Sequence, residues 1–255
     1  MVETRNGQEE KVMKKSIFVI PVFIISVVLF GLMIFVSSPY RELRPYHFFG
    51  SKLKGNFGNA RNAVNGIPSV LIKGNDGTVD FYIDQIPINI GAYKQCTASG
   101  ECKTHHYRNN YTHFYESGIY DIFPMTFVTF AEARAYCLAY GGDLPTEAQW
   151  MAAAGPSAYA WGDRMPSLSR ANIDGFYQSH TPAGWLPEGA SPYGVLDLNG
   201  NVREWILDEN PDNPSEIMLK GGGFQDSFTA GKNESAFYHD PTSSGFNRGF
   251  RCVYR

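Results

Sequence analysis

From Pro156 to Arg255 the chain is crowded with Gly, Pro, Asn and aromatic residues and shows almost no helical periodicity. This stretch constrains the fold most. Segments so long and irregular are held by cross-links or bound ions rather than by helix or sheet ladders alone. The helical signals lie before it. Thr129 stands three residues ahead of Glu132, a capping box that opens a helix over Phe130–Tyr140, and Gly141-Gly142 ends it. Thr146 with Gln149 opens a second helix over Glu147–Ala154, and Glu147 puts a negative charge in its first turn. Ser69–Lys73 and Thr78–Asp84 flank Asn75-Asp76-Gly77, which predicts a hairpin because Asp-Gly readily supplies the positive φ of a tight turn. The predicted class is α+β with few regular elements, and residues 66–255 suffice for one domain with a sizeable core.

A separate signal precedes that domain. Residues 16–38 form an uncharged apolar run, long enough to cross a bilayer as a helix. A cleaved signal peptide would carry a shorter apolar region of about 7–15 residues and a small-residue cleavage site. We therefore read 1–15 as a cytoplasmic tail, 16–38 as one transmembrane helix and 39–65 as a linker. Arg5, Lys11, Lys14 and Lys15 before the run are balanced by Arg41, Arg44, Lys52 and Lys54 after it, so basic residues alone do not set the orientation.

Charge and cysteine content narrow the classes further. With 22 basic and 25 acidic residues the net charge is −3, so no nucleic-acid partner is expected. Cys96 and Cys102 bracket a short loop that a local disulfide can close, whereas Cys137 and Cys252 are remote in sequence. On spacing alone, two structural bridges and four reduced thiols both remain open.

Several segments occur in one order: FYIDQIPINIGAYKQC (81–96), VTFAEARAYCLAYGGDLPTEAQW (128–150), YAWGD (159–163), PYGVLDLNGNVREW (192–205), LKGGGF (219–224) and GFRCV (249–253). Together they resemble the formylglycine-generating-enzyme family, also called the sulfatase-modifying-factor domain, over about 66–255. The resemblance implies a C-type-lectin-related fold with little regular secondary structure. It also implies that Cys137 pairs with Cys252, leaving Cys96 with Cys102. Two bridges place the domain outside the cytosol. With an N-terminal anchor this gives a single-pass type II protein of the inner or plasma membrane, its domain in the periplasm or exoplasmic space.

One part of the family pattern is missing. Oxidase members carry two further cysteines shortly after the glycine-rich segment, and these bind copper(I), for which soft thiolates are suited. Aligned on Lys220-Gly221-Gly222, those positions are Asp226 and Gly231, and Gly223 replaces the usual serine. Copper and formylglycine-generating oxidase activity are therefore not expected. Asp226, His239 and Asp240, with Lys232 and Glu234 nearby in sequence, supply a general acid or base if they converge, and a solvated polar loop if they do not. His105, His106 and His113 match no zinc spacing.

The family also implies structural calcium. The matching segment runs from Asp197 to Glu204, with the side chains of Asp197 and Glu204 and the carbonyls of Gly200 and Val202 as ligands; hard oxygens suit that ion. The alternative is a hydrogen-bonded turn ahead of a core tryptophan. A second family site begins at Asn172-Ile173, but the chain shortens the segment carrying its other ligands, and Asp174 is only a substitute. Trp150, Trp161, Trp205, Phe250 and Arg251 are family landmarks expected to be architectural. Asn110-Tyr-Thr112 and Asn233-Glu-Ser235 are glycosylation sequons, relevant in a eukaryotic host.

The expected function is a membrane-anchored accessory or binding module in envelope protein maturation or assembly, engaging an unidentified periplasmic protein or peptide. The alternative is a periplasmic oxidoreductase or modifying enzyme of the same family that uses non-cysteine residues. A third is ligand recognition through the lectin-like surface.

Overall fold

The computed structural model describes residues 60–62, 65–74, 79–103 and 112–255. The tail, the apolar run 16–38, His105, His106, the side chain of His113, Asn110 and the turn Asn75-Asp76-Gly77 lie outside the described residues. Among the described residues no helix is long and apolar enough to cross a membrane.

Two four-stranded sheets frame the domain. One has the order β1 (Ala60–Asn62), β2 (Pro68–Ile72), β3 (Phe81–Asp84) and β8 (Val253–Tyr254), all antiparallel. The other runs β6 (Ala236–His239), β5 (Asn213–Lys220), β4 (Arg203–Asn210) and β7 (Arg248–Gly249), with β4 and β7 parallel. The predicted hairpin is present, with Val70 facing Ile83 and Ile72 facing Phe81. Strand β1 lies inside the segment read as linker, and Asn65 Nδ2 donates to Tyr254 Oη at 2.9 Å, so sheet pairing begins earlier than the sequence suggests.

The helices follow their caps. Helix α1 spans Ile90–Ser99: Asn89 accepts from the Ala92 amide at 2.8 Å, and Gly100 closes it at φ 82°. After α2 (Thr112–Glu116), helix α3 spans Phe130–Ala139 and α4 spans Glu147–Ala154, both opened by complete capping boxes. Each box satisfies two amides that would otherwise lack partners.

Helices α1 and α3 enclose an aromatic core. Tyr93 stacks on Tyr136 at 5.7 Å, and Phe250 meets Tyr136 edge-on at 5.3 Å. The Cys137–Cys252 disulfide belongs to this cluster and ties the C-terminal strand to α3, while Cys96–Cys102 closes the loop after α1. A second cluster centres on Trp150. Trp150, Trp205, Phe250 and Arg251 are fully buried, as expected of architectural residues. Trp161 is not a core residue: it is half-buried and stacks on Tyr159 at 4.9 Å.

Arg251 joins the parts. Its guanidinium donates to Glu204 Oε2 at 2.8 Å and Oε1 at 2.6 Å, and to the carbonyls of Asp84 (2.9 Å) and Leu196 (2.7 Å). Trp150 Nε1 also donates to Glu204 Oε2 at 2.9 Å. A charge pair with no solvent contact stays folded only with its hydrogen bonds made, and here they are made.

Candidate functional site

The turn before β4 aims a charged side chain across the second sheet. Asp197 and Asn201 adopt left-handed backbone, φ 55° and 64°, a conformation short polar side chains tolerate better than most. Asp197 Oδ2 accepts from the Gly184 amide at 2.6 Å, and Asn201 Oδ1 accepts from the Thr181 amide at 3.0 Å. So pinned, the chain enters β4 with Arg203 directly beside Arg248 of β7. Arg203 reaches over the ring of Phe237, 3.8 Å from its centroid. Phe237 and His239 lie on one face of β6, because alternate strand residues share a face.

Asp226 receives that guanidinium with both oxygens: Nε to Oδ2 is 2.8 Å and Nη2 to Oδ1 is 2.5 Å. Oδ2 also accepts from the Gly223 amide at 2.6 Å. The pair is about six-sevenths enclosed, with side-chain exposures of 15% for Arg203 and 14% for Asp226. His239 Nε2 lies 3.3 Å from Arg203 Nη1. Burial, then Arg248 and Arg203, push the His239 pKa down, so the imidazole is neutral at physiological pH. Burial and Arg203 likewise lower that of Arg248, whose Nη1 donates to Ser243 Oγ at 2.7 Å.

Asp226 and His239 therefore converge, through Arg203. Asp240 does not join them: it is exposed, and its Oδ1 accepts from the Thr242 amide (2.8 Å) and hydroxyl (2.7 Å), closing its own turn. Lys232 pairs with Glu234 at 3.6 Å, away from this cluster's hydrogen bonds. Gly231 is buried against Ile173; a Cβ there would lie 2.0 Å from Ile173 Cδ1. No cysteine among the described residues is free. Arg203 and Arg248 were not singled out from sequence. The local signal is a basic residue beginning each of two neighbouring strands, β4 and β7.

Residues 73–255 match the sulfatase-modifying factor enzyme 1-like domain. The chain belongs to that family. It lacks the copper-binding cysteine pair: its four cysteines form two disulfides. Hercynine oxygenase of Mycolicibacterium smegmatis is 40% identical over 89 residues, 32% of this chain and 21% of that protein. Inactive C-alpha-formylglycine-generating enzyme 2 of Bos taurus is 32% identical over 154 residues, 51% of this chain and 50% of that protein. The chain thus spans half or less of the length of these curated relatives. The crystal structure of CarF superposes with a TM-score of 0.60 at 18% identity, covering 75% of this chain and 99% of that one, which shows the shared fold.

The segments that resemble the family's calcium sites meet in space. The Asn201 amide donates to the Asn172 carbonyl at 2.7 Å, and Asn172 Nδ2 donates to Asn201 Oδ1 at 3.3 Å. Asn172 Oδ1 is buried without a hydrogen-bond partner. Burial pushes the Asp197 pKa up to about 6. Asp197 Oδ2 and Asn201 Oδ1 already accept from amides, so of the side-chain oxygens named here only Asn172 Oδ1 is buried and unpartnered. Glu204 is engaged otherwise, by Arg251 and Trp150. The Gly200 carbonyl accepts from the Val202 amide at 2.8 Å, and Ile173 is fully buried. Among the described residues no group of three His, Cys, Asp or Glu converges. Asn233, 1% exposed, is held by Asn199 Nδ2 and the Ser157 carbonyl, so the acceptor asparagine of its sequon is buried.

Proposed function

We propose that this chain is a membrane-anchored, exoplasmic member of the sulfatase-modifying-factor family that does not run copper-oxidase chemistry. It serves as an accessory or binding module in envelope protein maturation or assembly. The observation that carries it is the Arg203–Asp226 pair: where an oxidase member holds a copper thiolate, this chain holds a carboxylate already neutralised by a guanidinium. The second thiolate position is a glycine packed on Ile173, and all four cysteines are in disulfides. Under anaerobic conditions the detergent-solubilised full chain should leave copper(I) with a competing bicinchoninate chelator. Retention of one copper per chain would overturn the proposal.

The anchor rests on the apolar run 16–38, and the compartment on the two disulfides, which suit an oxidising periplasm or other exoplasmic space. Alkaline phosphatase fused after Arg255 should be active in a bacterial host; an inactive, stably expressed fusion contradicts the type II arrangement.

A second reading, an enzyme using non-cysteine residues, is favoured by His239, a neutral imidazole beside an ion pair. The likeness to a hercynine oxygenase supports it. Under that reading, His239→Ala abolishes the chain's genetic phenotype while its melting temperature is kept; full complementation eliminates it.

Structural calcium is proposed at the Asp197–Asn172 oxygens, with Asp197 as its carboxylate. The orphan Asn172 Oδ1 supports it. A chelator should then lower the melting temperature, and an unchanged transition rejects the ion.

A further inference from the structure

His180 carries a titratable ring whose Nε2 is buried and, among the described residues, has no hydrogen-bond partner. The ring fills an aromatic corner. It meets Phe224 edge-on at 4.9 Å and Phe246 at 6.3 Å, and those two phenyl rings lie 5.8 Å apart. Burial pushes its pKa down to about 4, against a smaller upward pull from the Phe246 backbone. The imidazole is therefore neutral at physiological pH, because a charge in this corner would lose its water. His180 also ends a loop, residues 174–180. The Asp174 amide donates to the Asp226 carbonyl at 2.9 Å and the Gly175 amide to the Phe224 carbonyl at 2.7 Å, so the loop lies across the segment that carries Asp226. Near its far end Asn172 Nδ2 donates to the Ser179 carbonyl at 2.8 Å. Between these ties Asp174 and Gln178 adopt left-handed backbone, φ 55° and 58°, which costs free energy outside glycine. Asp174, Gln178 and Ser179 are exposed. An exposed, strained strap held by few bonds opens more readily than the core beneath it.

We infer that loop 174–180 is an acid-released lid over the Phe224–Asp226 segment, with His180 as its latch. The neutral imidazole fills the corner between the two phenyl rings and holds the loop shut. The protonated ring leaves that corner for water, the loop follows it, and Phe224, which is 5% exposed in the closed form, is uncovered beside Asp226. Four charged groups stand on the elements around the ring. Asp174 is exposed on the loop itself, and Asp226 is committed to Arg203. Arg248 donates to Ser243, and Asp197 accepts from the Gly184 amide. Burial, rather than any of these charges, disfavours the imidazolium. The sign follows. The open loop carries an ordinary histidine that titrates near ~6.5. Closure is fully favoured above that value and is lost as pH falls toward about 4.

Hydrogen–deuterium exchange of the full chain in detergent, with calcium present throughout, tests this. After correction for the intrinsic exchange rate, protection of residues 174–180 should fall about tenfold per pH unit between about 6.5 and about 4. Helix α1 should keep its protection over the same range. His180→Phe, a ring that cannot titrate, should abolish the slope. His180→Asn, a smaller uncharged side chain, should lower the protection of the loop at every pH and leave it flat. Loop protection that does not change with pH in the wild type overturns the inference. So does a slope that persists in His180→Phe, because the gate would then belong to Asp174 or Asp197. If His180→Phe fails to fold, the Asn variant decides alone. Copper retention is measured separately, so this inference and the proposed function fall independently.

Discussion

Arg203 grips Asp226 through two parallel hydrogen bonds, 2.8 and 2.5 Å, in a pair that is largely enclosed. The Asp226 carboxylate ties the loop after β5 to the start of β4.

Breaking that pair should destabilise the domain. Asp226→Asn leaves a largely enclosed guanidinium without its counter-charge, at a cost on the order of 3 kcal/mol. The double variant Asp226→Asn/Arg203→Gln should cost less than the sum of the single changes, because the partners share one interaction. Urea denaturation of the four proteins checks this; additive costs would contradict the pairing.

Glu204 carries a heavier load. Glu204→Gln removes the counter-charge of a fully buried Arg251, with an expected loss of about 3–5 kcal/mol. Arg251→Met, an apolar side chain of comparable reach, leaves the buried Glu204 uncompensated and should be as damaging. A stability within 1 kcal/mol of wild type, as an order-of-magnitude bound, would mean the pair is incidental.

The pH dependence has a named source. Asp84 is fully buried, its Oδ1 has no partner, and burial raises its pKa to about 7 despite the Cys252 amide and Arg251. The folded state therefore holds this proton more tightly than the unfolded chain. The contribution is complete below the unfolded value near ~4 and is lost as pH rises through about 7. His239, with its pKa lowered, acts in the opposite sense: its contribution is present above the ordinary histidine value and is lost as pH falls. The difference in unfolding free energy between wild type and Asp84→Asn isolates the aspartate. It should fall with a slope of up to about 1.4 kcal/mol per pH unit between those limits. A flat difference would mean that Asp84 is not the responsible group.

The two disulfides should differ in weight. Cys137–Cys252 closes a loop of 115 residues and Cys96–Cys102 one of 6. Chain entropy assigns them about 5 and about 2 kcal/mol. Paired serine substitutions, compared by urea midpoint, should reproduce that order.

What was legible in the sequence was local. Thr129 with Glu132 and Thr146 with Gln149 announced their helices because a capping box is written within four residues. Helix α1 was missed, although Asn89 and Gly100 cap it, because Gly91 and Lys94 blur its apolar stripe. The β4–β5 hairpin was missed because acidic residues and Pro211 hide its alternation. The candidate site was half legible. Asp226 and His239 stood out by type, but Arg203, which joins them from 23 and 36 positions away, left no local trace. Asp240 looks equivalent to His239 but lies one residue beyond the end of β6 and closes its own turn with Thr242. Arg251, read as architectural, also claims Glu204, which had been read as a calcium ligand.

The most direct measurement is oxygen uptake by the detergent-solubilised full chain with copper(I), reductant and a cysteine-containing sulfatase peptide. With Asp226 and Gly231 at the thiolate positions, oxygen consumption should not rise above the copper-only control and the peptide cysteine should stay unmodified. Peptide-dependent uptake with conversion of that cysteine to formylglycine would contradict the account.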